Sequence, residues 1–355
     1  MDLSSDRPQR VLVTGATGLL GSNTVRRLLD LGGEVTAVVR DRERARTLLP
    51  EHERLVLWQG DVLDMAALEP ALRGHDAVIH TAAYFREYYA PGGRDDDLLT
   101  ATNVDAVRRL LRAASEAGVP TVVHTSSIGT LAARSDGRPS DEHTAEGRTT
   151  RQNGYYASKL RSEEVVRSLP VGYGVRVPIV LPGWMWGPGD AGPTSAGRLF
   201  LAVASGTLAA APRAGNHVVD ARDVADACVR AAVAGGHARR YIVAGSWVPL
   251  PEVCRLAARA MGVRPPREIP ARLALAVATV SEIAARLTGR TPAATREGVR
   301  ALLEGDRRLV SSGRAVHELG VTFRPLSRTL HDQATWHREH GLAPVGDTTG
   351  TTSES

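Results

Sequence analysis

Lysine is almost missing from this chain. Of its 44 basic residues one is lysine, Lys159 in YYASKL (155–160), and all the others are arginine. An ammonium is a compact point charge whose pKa shifts readily, whereas a guanidinium is a planar fork that stays charged. A position that keeps lysine against so strong a bias therefore invites a chemical reading. Cysteine is scarce too: Cys228 and Cys254 form no CxxC and stand in no His/Cys cluster, which argues against a disulfide framework and a zinc site and suits a reducing compartment. Aromatics make up 4% of residues and no basic run interleaves with them, so the net charge of +5 does not read as a nucleic-acid footprint. It is better suited to favouring anionic small ligands. No apolar run approaches a membrane span and MDLSSDRPQR contains no apolar leader, so a cytoplasmic protein is expected, with neither nucleic acid nor membrane as partner.

What is present has the composition of a globular protein, 355 residues with 43% hydrophobic and 23% charged. Short apolar strands alternate with helical segments. RVLVTG (10–15), EVTAVV (34–39), 54–58, 77–80, 121–124 and 174–181 read as strands. Helical patterns fall at 18–30, 99–117 and 155–169, the second carrying Val107, Leu110, Leu111 and Ala114 on one face. Such βαβα alternation predicts an α/β fold of the Rossmann type, a doubly wound parallel sheet over 10–181 with a smaller C-terminal substrate-binding lobe over 182–345. Helices at 223–234 and 272–287 belong to that second half, a seventh strand is expected at 240–244, and the segment 217–245 is expected to return to the sheet. Residues 1–9 and 346–355 are expected to be flexible ends, the latter (GDTTGTTSES) having no large apolar residue.

TGATGLLG (14–21) sets Gly15, Gly18 and Gly21 at GxxGxxG spacing between the first strand and its helix. Glycine is needed there for a tight turn, for backbone approach to a pyrophosphate and for close packing of helix on strand, while the helix N-terminus supplies N–H groups to the phosphates. Thr17, Leu19 and Leu20 complete this cofactor loop. Where the second strand ends, an NAD site would carry a carboxylate for the ribose; here Arg40 follows Val39, which suits the 2′-phosphate of NADP, with Arg44 as an aid. The neighbouring Asp41 keeps NAD open. Asp61 and Val62 are placed to flank the adenine.

Tyr155 and Lys159 stand four apart on a predicted helix, so they share a face. A phenol near pKa 10 exchanges protons poorly at neutral pH, and an adjacent ammonium favours its phenolate. Tyr156 lacks that spacing. Ser126 and Ser127 end the fifth strand, where a hydroxyl can hold a substrate oxygen. His80, His124 and His217 each abut a strand and read as structural. Tyr84, Phe85, Tyr88 and Tyr89 after the fourth strand, with Trp184, Met185 and Trp186 after the sixth, concentrate the few aromatics in two loops and suggest an apolar or aromatic substrate.

TGATGLLG, HTAA (80–83), TSS (125–127) and YYASK (155–159) together resemble the short-chain dehydrogenase/reductase family in its extended form, over roughly residues 10–340. PGWMWGPGD (182–190), HVVDARDVADA (217–227) and AVHELGVTFRPL (315–326) extend the resemblance, which is strongest to dihydroflavonol-reductase-like and hydroxysteroid-dehydrogenase-like members and to the sugar epimerases. It implies that Ser127 is the catalytic serine, with Ser126 second choice, Tyr155 the acid/base, and Lys159 the residue that also holds the nicotinamide ribose. It further implies that Asn103, in TNVDAV, supports the lysine through water. Thr81, Ala82 and Ala83 would run along the cofactor, with Pro182 and Gly183 beside the nicotinamide and Arg40 at the NADP-preferring position. Tyr84, Phe85, Ser127, Trp184 and Trp186 are the candidate substrate contacts. The Asp-Glu pair that sugar dehydratases carry after the serine is replaced by Ile128 and Gly129, so elimination of water is not expected. Reversible reduction of a ketone or aldehyde with NADPH is the expectation, against a sugar epimerase that retains NAD and a non-catalytic dinucleotide sensor. A homodimer stays open.

Overall fold

The computed structural model describes residues 8–85, 94–288 and 296–343. Twelve strands run in chain order as β1 (Arg10–Thr14), β2 (Glu34–Val39), β3 (Leu55–Gln59), β4 (Ala77–His80), β5 (Val122–Thr125), β6 (Ile179–Pro182), β7 (Trp184–Trp186), β8 (Ala210–Pro212), β9 (Gly215–Asp220), β10 (Arg240–Val243), β11 (Ser246–Pro249) and β12 (Arg267–Ile269). Seven form one sheet in the order β3-β2-β1-β4-β5-β6-β10, parallel at every pairing. The order reverses between β1 and β4, and the crevice outside the carboxyl ends at such a point is where an open α/β sheet binds its ligand.

Side chains alternate across the strands, so β1 feeds both faces: Val11 and Val13 pack with Val25, Leu28 and Cys228 on one side, and Leu12 with Val107, Leu110 and Leu111 on the other. The first layer comprises helices Leu19–Asp30 and Ala221–Ala234, and the second includes Ala106–Glu116. Both cysteines are buried and free.

The small lobe is built from a β11-β9-β7 sheet and a β12-β8 pair, with helices Ser195–Ala204, Leu250–Met261 and Leu326–Glu339 packed on a core that contains Phe200, Leu250 and Leu330. Within 217–245, β10 and the helix before it join the large sheet, whereas β9 pairs with β7 in the lobe. The exposed edge of β10 is covered locally by the loop around Glu142, whose carboxylate accepts the Ile242 N–H at 3.1 Å.

Two elements differ from the sequence reading. The sixth strand begins at Ile179, not 174, because Gly174 turns to φ +64° and Pro178 offers no N–H to a ladder. The helix expected over 99–117 begins at Arg94 and is interrupted by a π-helical turn at Ala101–Asp105 that carries Asn103. Residues 1–7 and the 346–355 tail, together with Tyr88 and Tyr89, lie outside the described residues.

Candidate active site

The helix Leu19–Asp30 opens at Gly18 with no side-chain cap and no acidic residue in its first turn, so its leading N–H groups are available to an anion. The glycines before it are required sterically. A Cβ on Gly15, at φ +69°, would stand 2.6 Å from the Ala82 nitrogen, and one on Gly21 would stand 2.1 Å from the Gly15 oxygen. Gly18 is exposed, Thr17 half-buried, and the Leu19 and Leu20 side chains are buried beneath the turn. Thr81 donates to the Thr14 carbonyl at 2.7 Å and so ties the loop after β4 to the phosphate turn; Ala82 and Ala83 follow along its rim. Gly183 is likewise constrained, since a Cβ there would meet the Ala244 oxygen at 2.9 Å. Pro182, one residue earlier, is the buried end of β6. This cradle fits a dinucleotide.

At the end of β2, Arg40 is exposed, while Asp41 caps the next helix through one carboxylate oxygen, accepting the Arg44 N–H at 3.0 Å. Asp61 accepts the Leu63 N–H at 2.9 Å, and Val62 is buried beside it.

Asn153 caps the helix Gly154–Arg167 by accepting the Tyr156 N–H at 3.1 Å, and this helix carries the Tyr155/Lys159 pair. Lys159 is 3% exposed. Its Nζ donates to the Thr125 carbonyl at 2.8 Å and lies 5.8 Å from the centre of the Tyr155 ring. An ammonium has three donors, so among the described residues two remain for a ribose. Burial lowers its pKa to about 8, against a smaller raising effect of Glu163. Phe85 meets Tyr155 edge to face at 4.8 Å between ring centres.

The two serines separate clearly. Ser126 is buried with its hydroxyl donated to Glu163 at 2.5 Å, whereas Ser127 is half-buried and accepts the Gly129 N–H at 3.1 Å, which leaves its own proton for a ligand. Tyr156 is held as a structural residue: a Cβ on Gly129 would lie 2.2 Å from its ring, and the Arg308 guanidinium sits 5.5 Å from the ring centre. Gly129 is therefore a packing requirement at the position where a dehydratase would place an acid.

Asn103 is buried and held by direct contacts within the chain. Its Oδ1 accepts the Tyr84 N–H at 2.7 Å, and its Nδ2 donates to the Tyr84 carbonyl at 3.0 Å and to Ser158 at 2.9 Å. It fastens the chain at Tyr84 to the helix Gly154–Arg167 through Ser158. Trp186 also departs from the reading as a substrate contact, being 1% exposed inside the lobe's core. Trp184 is half-buried, donates to Ser195 at 3.1 Å, and borders a crevice whose other walls include Val218, Val248, Leu250 and Leu302.

His80, His124 and His217 each have an internal partner. His80 pairs with Thr14 at 2.8 Å and His124 with Ser162 at 2.8 Å, and His217 accepts the Val310 N–H at 3.0 Å. Burial first, and the Lys159 charge second, push His80 down to about 3 and His124 well below its usual value, so both stay neutral beside the lysine. Among the described residues no group of three metal-ligating side chains occurs and no helix is long and apolar enough to cross a membrane.

Comparison with known proteins shows the family and the fold. Residues 11–244 match the model of the NAD dependent epimerase/dehydratase family. A putative dihydroflavonol 4-reductase of Synechocystis is 29% identical over 336 residues, covering 93% of this chain and 94% of its own. Sterol demethylase protein B of Methylococcus capsulatus is 32% identical over 334 residues, covering 93% and 99%. The crystal structure of gox2253 superposes with a TM-score of 0.78 at 34% identity, over 95% of this chain and 100% of that one. WbmH of Bordetella bronchiseptica, solved with NAD+, shares the fold at a TM-score of 0.72 and 21% identity, over 94% and 99%.

Proposed function

The chain belongs to the NAD-dependent epimerase/dehydratase family, and from that premise we propose that it is an NADP(H)-dependent oxidoreductase that reduces a ketone or aldehyde to an alcohol, reversibly. The observation that carries the reading is the buried Lys159 ammonium beside Tyr155, with the Ser127 hydroxyl free of internal acceptors among the described residues.

The Gly15–Gly21 cradle would hold a nicotinamide dinucleotide by its pyrophosphate, and that cofactor, when bound, would supply the hydride for the carbonyl carbon. The Ser127 hydroxyl holds the substrate oxygen, and the Tyr155 phenol gives it a proton as the C=O bond becomes an alcohol. The phenolate left behind is stabilised by the Lys159 ammonium, which falls on the same helix face one turn later. Asn103 keeps the loop at Tyr84 and Phe85 in place over this pair. The N–H groups at the start of Leu19–Asp30 would hold the pyrophosphate and Arg40 would hold the 2′-phosphate, a role favoured by the engagement of Asp41 as a helix cap. An apolar or aromatic substrate is favoured by Phe85 at the Tyr155 edge and by the apolar crevice beside Trp184. Reductase names among the relatives point the same way.

The test is twofold. Mass spectrometry of the dinucleotide released on denaturation, with NADPH and NADH compared on a panel of aromatic and aliphatic ketones, should give NADP(H) and ketone-dependent loss of NADPH absorbance. Stoichiometric NAD that never exchanges, with sugar isomerised without net absorbance change, would establish the epimerase instead.

A further inference from the structure

Glu163 has no part in the chemistry described so far, yet it is fully buried directly beneath it. Its side chain is 0% exposed. One carboxylate oxygen accepts the Ser126 hydroxyl at 2.5 Å. The other is shared by Arg167 of the same helix at 2.7 Å and by Arg240 of β10, whose Nε and terminal nitrogen both approach to 2.7 Å. Three pieces of the molecule meet at one side chain: the catalytic helix, the turn that carries Ser127, and the edge strand of the large sheet.

We propose that Glu163 is the positioning residue of the catalytic pair, fixing the Ser126–Ser127 turn against the helix and supplying the negative charge that keeps the Lys159 ammonium in place at Thr125. The role rests on the reductase reading for its kinetic meaning but not for its electrostatics. Glu163 follows Lys159 by four residues, so the two are neighbours on one face of the helix. The Ser126 backbone N–H already bonds the Val180 carbonyl at 2.8 Å; the Glu163 contact adds a side-chain tie, and together they orient the adjacent Ser127.

The other groups around Lys159 cannot do this. His80 on β4 and His124 on β5 stay neutral, Thr125 offers only its carbonyl, and Tyr155 is the proton donor itself. Around Glu163 the charges are Arg167 and Arg240, and Arg240 also reaches the Thr144 carbonyl at 3.3 Å. Among the described residues Glu163 pairs with both arginines, and Glu146 in the loop before the helix also acts on Arg167. Removing the Glu163 charge takes away the carboxylate that acts on the lysine, which pushes Lys159 toward the neutral amine.

Because the chain has one lysine, its ε-amine can be titrated alone. Protein labelled with 13C at lysine Cε gives a single side-chain resonance, and its midpoint is read in the wild type, Glu163→Gln and Arg167→Gln. Glu163→Gln should lower the midpoint by about one pH unit, the scale of a lost neighbouring opposite charge. Arg167→Gln, altering a side chain 41% exposed, should raise it by a smaller amount. In an active enzyme the alkaline limb of kcat/KM should move with each. Midpoints unmoved in both variants, or moved in the same direction, would overturn the proposal and leave Glu163 as a brace between helix and sheet, visible only in melting temperature. The titration needs no substrate, so a wild type that reduces no ketone would count against the reductase reading alone.

Discussion

Replacing Lys159 with Met should change the pH dependence of stability in a way few single substitutions can. The wild-type lysine has its pKa lowered from 10.5 to about 8 by burial. Below pH 8 folded and unfolded chains both carry the proton. Between pH 8 and 10.5 the folded chain has released it and the unfolded chain has not, so the unfolded state binds more protons and stability rises with pH. At 1.36 kcal/mol per unit, the interval is worth about 3 kcal/mol. Lys159→Met removes this term, alkaline groups remote from it such as the buried Tyr241 are common to both proteins and cancel in the difference, and Tyr155→Phe in both proteins removes the one phenol coupled to the lysine. Urea unfolding of dinucleotide-free protein at intervals from pH 7 to 10.5 measures it. Wild type minus variant should climb by about 3 kcal/mol across the window, starting low because the wild type bears a desolvated charge and the variant loses only the bond to the Thr125 carbonyl. A difference that stays level through pH 8 to 10 would refute the burial argument. The same charge that weakens the apoprotein is the one assigned to the phenolate, so the variant should also lose turnover.

Lys159→Arg should be inactive despite keeping the charge, because a wider planar group must enter a site 3% exposed; kcat falls and circular dichroism stays native. Arg40→Ala should raise the KM for NADPH about 10- to 100-fold, the scale of one lost charge-assisted hydrogen bond, and leave that for NADH unchanged. Gly21→Ala should abolish dinucleotide binding in calorimetry, since the added methyl stands 2.1 Å from the Gly15 oxygen. Phe85→Ala should raise KM for an aromatic ketone more than for a small aliphatic one, Phe85 being 45% exposed at the Tyr155 edge.

The large sheet was legible because parallel strands buried on both faces must be short and apolar, and those runs recur between amphipathic helices. The Tyr155/Lys159 pair was legible for a local reason, a spacing of four on one helix. What escaped depends on contacts between distant segments. Trp186 looks like Trp184 in the sequence, but the lobe's core buries the first fully and the second only in part. The π-helical turn at Asn103 has no signature in TNVDAV; it is visible only once its amide is seen to clasp Tyr84. Ser126 and Ser127 are chemically identical neighbours, and Glu163, 37 residues from Ser126, separates their roles. Gly129 read as a missing acid and proved to be the space in which Tyr156 packs.

The account rests on proton transfer by one phenol. Tyr155→Phe keeps the ring against Phe85 and removes only the hydroxyl, so NADPH binding measured by fluorescence should be unchanged while single-turnover reduction falls about a thousandfold, within the range attributed to a positioned acid. A variant that binds the cofactor and still reduces the ketone at a rate near that of the wild type would contradict it.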